Sequence, residues 1–335
     1  MRISALDLAP ADKQTSYESA LSDIVRLAQR AEARGLERVW YAEHHNMAAI
    51  ASSATSVLIA HVAANTSTIR LGSGGVMLPN HSPLVIAEQF GTLAALHPDR
   101  IDVGLGRAPG TDQKTFLALR RDPQASERFP SDVVELQTFL SGGEPIPGVK
   151  AAPLAQTPPP LYILGSSLFG ATLAAQLGLP YAFASHFAPD QMLHALSAYR
   201  ENFQPSEQLA EPYAIVGANV VAHEDREVAA EIEHQVLKDR VSMFVKRANS
   251  EARDFTDDEL ELILDSPQGR QITSMMRVRA VGDRDDVRRA LDQLQLQTGA
   301  DEIMLAFHGR TPEERLGALD IAADAAGIGV SVRTR

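Results

Sequence analysis

The stretch Ala42-Glu43-His44-His45-Asn46 follows the apolar run Val39-Trp40-Tyr41 without a break. An acid and two imidazoles leading out of a buried strand suit metal ligation, proton transfer or plain hydrogen bonding in a core. Metal ligation needs two or three groups converging on one point. Adjacent side chains on extended backbone point to opposite sides, so His44 and His45 do not readily share an ion. No HxH or HExxH spacing and no second acid cluster stands nearby. The spacing therefore favours a base or hydrogen-bond donor for one histidine and a structural role for the other, with no metal.

Three further stretches have ligand-binding character. In "LGSGGV" (71–76), Gly72, Gly74 and Gly75 remove side chains where a strand ends. Such glycines mark either close approach of a ligand or a plain bulge. "VGLGRAPG" (103–110) places Arg107 among glycines. A guanidinium there either clamps a phosphate or carboxylate or pairs with a nearby acid. In "ILGSSLFG" (163–170), Ser166 and Ser167 open a helix and Gly170 lies one turn in. Free N–H groups and the positive dipole end make an anion site, although a serine there also serves as an ordinary N-cap.

The elements that must position these residues alternate. Apolar runs at 2–8, 38–42, 68–76, 100–106, 161–165, 181–185, 213–222 and 301–307 read as eight strands. Helical periodicity fills most of the gaps, at 17–34 before Gly35, 53–65, 82–97 behind Ser82-Pro83, from Ser166-Ser167 to Leu177 before Gly178, and from Thr311-Pro312 onward. Eight strands, most followed by a helix, predict a (β/α)8 TIM barrel of the α/β class. An open doubly wound sheet is the competitor, but no GxGxxG turn follows the first strand. The chain reads as a single domain, 1–335, with insertions after strands 4 and 7. The second, at 223–300, includes the polar stretch "RANSEARDFTDD" (247–258). Inserts after strand C-termini stand over a barrel's active face, so these are candidates for a substrate wall and a lid.

Composition narrows the function. A net charge of −12 argues against nucleic acid and anionic membranes as partners. The absence of cysteine excludes disulfides, thiolate metal sites and cysteine nucleophiles. No signal peptide or membrane-length apolar run is visible, and a cytoplasmic location is expected.

Taken together and in order, "RVWYAEHH", "IRLGSGGVMLPNHSPLVIAEQFGTLAALHPDRIDVGLGRAPGTD" and "YILGSSLFGATLAAQLGLPYAFASHFAP" resemble the bacterial-luciferase-like flavin monooxygenase superfamily, and within it the FMN-using members. The resemblance is strongest in 38–112 and 160–190 and weakest in 223–280. It implies a TIM barrel with His44 as the active-site histidine. It implies a non-proline cis peptide at Gly74–Gly75 under the flavin ring. Arg107, Ser166, Ser167 and Gly170 would hold the FMN phosphate, with Arg128 as a second phosphate partner. The position of luciferase's reactive cysteine is Gly106 here, so light emission is not implied.

The implied activity is a monooxygenase. A partner NAD(P)H:flavin reductase supplies reduced, dissociable FMN, O2 is co-substrate, and a C4a-peroxyflavin delivers one oxygen atom to a small organic substrate. Alternatives are an F420-dependent hydride-transfer oxidoreductase on the same barrel, a non-catalytic flavin-binding protein, and a metal-dependent hydrolase. Pairing through the helices at 53–65 and 82–97 predicts a homodimer.

Overall fold

The computed structural model describes residues 1–11, 16–108, 113–248 and 254–328. Pro109 and Gly110 of the glycine-rich stretch and 249–253 of the polar stretch lie outside the described residues. The chain order is β1 (Ile3–Asp7), α1 (Tyr17–Arg34), β2 (Arg38–Tyr41), α2 (Thr55–Ala63), β3 (Arg70–Ser73), β4 (Val76–Met77), α3 (Pro83–Leu96), β5 (Ile101–Gly106), α4 (Gln113–Ala118) and α5 (Phe129–Leu140). It continues with β6 (Leu161–Gly165), α6 (Leu168–Leu177), β7 (Tyr181–Phe183), α7 (Met192–Glu201), β8 (Ala214–Ala222) and α8 (Arg226–Ala248). The last elements are α9 (Asp257–Asp265), α10 (Pro267–Ser274), β9 (Arg279–Gly282), α11 (Arg284–Thr298), β10 (Glu302–Phe307) and α12 (Pro312–Ala326).

Eight of these strands close a parallel barrel in the order β1-β2-β3-β5-β6-β7-β8-β10. β10 completes the ring by pairing with β1 (Ile3↔Ile303) and with β8 (Ile303↔Val216). β4 and β9 are short strands off the ring order that pair alongside the C-terminal halves of β5 and β8. The predicted strand at 68–76 is therefore two pieces. Its first half stays in the ring and its second half, beyond Gly74–Gly75, pairs with β5 alone.

Helix limits follow their caps. Gly35 ends α1 in the left-handed region (φ 80°), where a side chain would be strained. Thr311 caps α12 by accepting the Glu314 N–H, with Pro312 at the first helical position. The predicted 53–65 helix is shorter at both ends, and α6 begins at Leu168 rather than at the two serines. The insertions fall where expected, α4 and α5 after β5, and α8 to α11 with β9 after β8. No helix among the described residues is long and apolar enough to cross a membrane.

Strand alternation sorts the core into two parts. Outward-facing residues such as Ile3, Val39, Leu71, Val103, Ile163 and Val216 join the helices in one large cluster. Inward-facing Leu6, Trp40, Tyr162, Ala182, Ile215 and Met304 form a smaller cluster that fills the lumen. Below them the lumen is closed by charge. Arg38 donates to Glu302 at 3.0 and 3.1 Å and to Asp102 at 2.7 Å. Trp40 Nε1 also donates to Asp102 at 3.1 Å, and the Tyr213 hydroxyl to Glu302 at 2.7 Å. Burial alone would weaken the hold of Arg38 on its proton, but Asp102 and Glu302 outweigh it and raise the pKa. This plug is a folding device at the N-terminal end, away from the mouth.

Candidate active site at the C-terminal mouth of the barrel

Above the apolar layer the strand ends carry almost no side chains. Gly74, Gly104, Gly106 and Gly217 line the top of the ring with Ala42 and Ala306. The closeness is real. A Cβ on Gly104 would lie 2.1 Å from the Ser73 carbonyl oxygen, and one on Gly75 would lie 2.8 Å from that of Gly104. The Gly74–Gly75 peptide is cis. The result is a tightly packed layer of strand ends with little side-chain bulk, bordered by polar residues, which leaves room above it for a planar ring system.

The Glu43–His45 part of the rim is held by one carboxylate. His45 Nε2 lies 2.9 Å and His81 Nε2 2.7 Å from the Oε1 atom of Glu43. The Met77 N–H donates to its Oε2 at 3.1 Å. Burial would raise the Glu43 carboxyl, but the hydrogen bonds from His45 and His81 and the Met77 N–H outweigh it and hold the group at about 2. The same hydrogen bond pushes His45 upward. His45 thus braces the loop. His44 instead lowers the proton affinity of His186 across the mouth, and its N–H holds the Ser52 carbonyl at 3.0 Å.

Glu43, His45 and His81 also bring three ligand-type atoms within 4.8 Å of one another. The expectation that no further metal-ligating group stands near Glu43 is corrected here, because His81 arrives from 38 residues on. In this structure both imidazole nitrogens sit at hydrogen-bond distance from the shared oxygen, so the three groups are joined as a hydrogen-bonded cluster.

The second half of the site is the start of α6. Ser167 is its N-cap, with extended backbone (φ −147°, ψ 168°) and no side-chain capping bond. The first-turn N–H groups are thus uncapped by a side chain. Arg107, just past β5, lies over this turn, its guanidinium carbon 4.1 Å from the Phe169 ring centroid. Its Nε donates to the Ser126 carbonyl at 3.3 Å. Ser166 is part-buried beside it, and Gly170 packs on Tyr181, where a Cβ would stand 3.3 Å from the ring. Arg107, Ser166, Ser167 and Gly170 are therefore neighbours in space. Arg128 is two residues from Ser126, half exposed, and only 3.9 Å from Asp122 in a loose pair. A helix N-terminus, two hydroxyls and an arginine stacked over them form a donor set for a phosphate monoester.

Four polar residues were not singled out from the sequence. His186 follows β7 and His308 follows β10. Asn219 ties them together. Its Oδ1 lies 2.8 Å from His308 Nε2, and its Nδ2 donates to the His186 carbonyl at 2.7 Å. Burial first, then the Arg240 charge, lowers both imidazoles to about 3, so they are neutral at pH 7. Arg240, from α8, is near enough for its charge to act on both rings. Gly217 makes the room, since a Cβ there would fall 2.4 Å from His186 Nδ1. The rule that exposed His44, a polar residue directly after a strand, identifies His186 and His308 equally well. Arg240 has no such signal, because it lies deep in a long, weakly patterned helix.

Comparison with known proteins agrees with this architecture. The luciferase-like monooxygenase family matches residues 1–302. A luciferase-like monooxygenase of Escherichia coli K12 is 46% identical over 324 residues, covering 96% of each chain. The N-acetyl-S-alkylcysteine monooxygenase of Bacillus subtilis is 40% identical over 189 residues, 55% of this chain and 57% of its own. The crystal structure of apo-MsnO8 superposes with a TM-score of 0.87 at 32% identity, covering 98% of both chains. With the barrel, its glycine floor and its histidine rim in place, the chain belongs to the luciferase-like monooxygenase family.

Proposed function

We propose that the protein is an FMN-dependent monooxygenase that transfers one oxygen atom from O2 to a small organic substrate. The observation that carries this reading is the joint placement of a phosphate-type donor set, Arg107 over the α6 start, and a floor of glycine and alanine beside His44. The residues fit FMN. Arg107, Ser166 and Ser167 would hold its phosphate, with Arg128 adding long-range attraction, while Gly170 lets the first turn of α6 pack on Tyr181. Gly74 and Gly75 would leave room for its ring. When bound, reduced FMN supplies the electrons that activate O2.

The chain's own residues position, dry and protonate. His44 faces the mouth and moves a proton through its ring nitrogen to or from the reacting group. His45 and Glu43 fix the loop on which His44 stands. The α8–α10 insertion covers the mouth and limits water there. A separate NAD(P)H:flavin reductase delivers reduced FMN, and the cysteine-free chain suits a reducing cytoplasm. The name of the Bacillus relative supports oxygen transfer to a small organic molecule.

The test is anaerobic titration with reduced FMN, read on the fluorescence of Trp40, the chain's one tryptophan. Saturable binding is expected, weakened about tenfold or more by Arg107→Ala. Admission of 18O2 with a panel of small organic compounds should then label a product. Binding of F420 in place of FMN, followed by substrate reduction without label, would replace this reading with hydride transfer.

A further inference from the structure

The buried arginines of this protein nearly all have acceptors. Arg38 pairs with Asp102 and Glu302, Arg315 with Asp7 at 2.8 Å, and Arg100 with the carbonyls of Ile69, Ala63 and Thr66. On α8 itself, Lys238 pairs with Asp257 at 2.8 Å and Glu261 at 3.2 Å. Arg240 is two residues further on and differs from all of them. Its Nε, like that of Arg315, is sealed from solvent without a hydrogen-bond partner, but unlike Arg315 it has no carboxylate paired with its guanidinium among the described residues. Its one ring contact is Phe244, 5.6 Å from the guanidinium. The ionisable groups on which its charge acts, His186 and His308, are bases, and it lowers the proton affinity of each. A desolvated, unpaired cation is costly unless an anion meets it. The cost is conspicuous in a chain of net charge −12, where acids are plentiful elsewhere.

Position decides what that anion is. Arg240 comes from the insertion over the mouth, whereas the phosphate-type donors cluster at the start of α6, which follows β6. FMN has one phosphate, and Arg107 with the α6 start accounts for it. We propose that Arg240 binds a carboxylate on the substrate and so selects small organic acids for oxygenation. The neutral imidazoles of His186 and His308 and the Phe244 ring flank this charge and offer one hydrogen-bonding and one apolar wall. The inference rests on the proposed monooxygenase reading for the word substrate, but the anion site stands on its own geometry.

The experiment is titration of FMN-loaded protein with acetate, hexanoate and benzoate, and with 1-hexanol as the neutral control, by calorimetry. At least one carboxylate should bind, with hexanoate clearly preferred over 1-hexanol. Arg240→Met should weaken that carboxylate about 30-fold or more and leave 1-hexanol within about twofold. Arg240→Lys should fall between. In NMR titrations of wild-type protein, the carboxylate should also raise the proton affinity of His186 and His308, because it neutralises the nearby cation. No carboxylate binding, binding indifferent to Arg240→Met, or loss of FMN affinity in Arg240→Met with carboxylate binding intact would each overturn the proposal. If Arg240→Met does not fold, Arg240→Lys and the acid-over-alcohol preference of the wild type still decide it. Carboxylate binding that depends on Arg240 in a protein that fails to bind FMN would overturn the monooxygenase reading and leave this site standing.

Discussion

Glu43 accepts from His45 and His81, while His44 acts electrostatically on His186. On the proposed reading the two adjacent histidines therefore do different work. Substitution should therefore separate chemistry from stability. His44→Gln is expected to lower turnover about 100-fold or more with little change in unfolding, if the imidazole acts as an acid or base. His45→Gln should cost about 1–2 kcal/mol in urea unfolding and far less in turnover. Equal turnover loss in both variants would mean that the loop, not the His44 ring, matters. A pH prediction belongs at this scale too. His186 and His308 are lowered to about 3 in the folded protein. Their contribution is full above the unfolded value of about 6.5 and is lost as pH falls toward 3. His45 is raised and acts in the opposite sense, favouring the fold below about 6.5, whereas His97, lowered by burial, adds to the acid loss. The net expectation is a protein less stable at pH 5 than at pH 7, by roughly 2 kcal/mol for the part-buried pair. Urea unfolding at both pH values checks it, and a His186→Gln/His308→Gln double variant should flatten the profile.

Elements set what was readable. All eight ring strands were legible, because each is a short apolar run bounded by polar or turn residues, buried on both faces. The two outer strands were not. β4 has two residues, and β9 opens on an exposed Arg279 and pairs only with the C-terminal half of β8. Of the candidate site, the sequence pointed to Arg107 and the α6 start, and the structure places Arg107 against Phe169 in that first turn. His81 was not legible, since its partner Glu43 lies 38 residues away across two elements. The plug under the lumen is likewise invisible locally, because Arg38, Asp102 and Glu302 meet only when the ring closes. It carries a clear expectation. Arg38→Met leaves Glu302 buried without its cation and should cost about 3–5 kcal/mol. Chemical denaturation measures this, and a loss under 1 kcal/mol would show that the plug is dispensable.

At the scale of the whole molecule, the outer face of the barrel is not uniformly polar. Val57 on α2 is 63% exposed, and Val85 and Leu96 on α3 are 45% and 66% exposed. These are the helices on which pairing of two chains is expected. Light scattering should return twice the 36.2 kDa chain mass. Val57→Glu with Leu96→Glu should halve it without unfolding the barrel, and a monomeric wild type would remove the expectation.

The ionic plug also sets the traffic through the molecule. A lumen sealed at one end by Arg38, Asp102 and Glu302 has a single doorway. Whatever settles first on the glycine floor is covered by what arrives next, so loading and unloading run as a stack, last in and first out. On the proposed reading the flavin enters before the organic acid, and the oxygenated product departs before the spent flavin. Steady-state inhibition should accordingly show oxidised FMN competing with reduced FMN, whereas the oxygenated product should not compete with it. A random-order pattern would require a second way in that the closed ring does not provide.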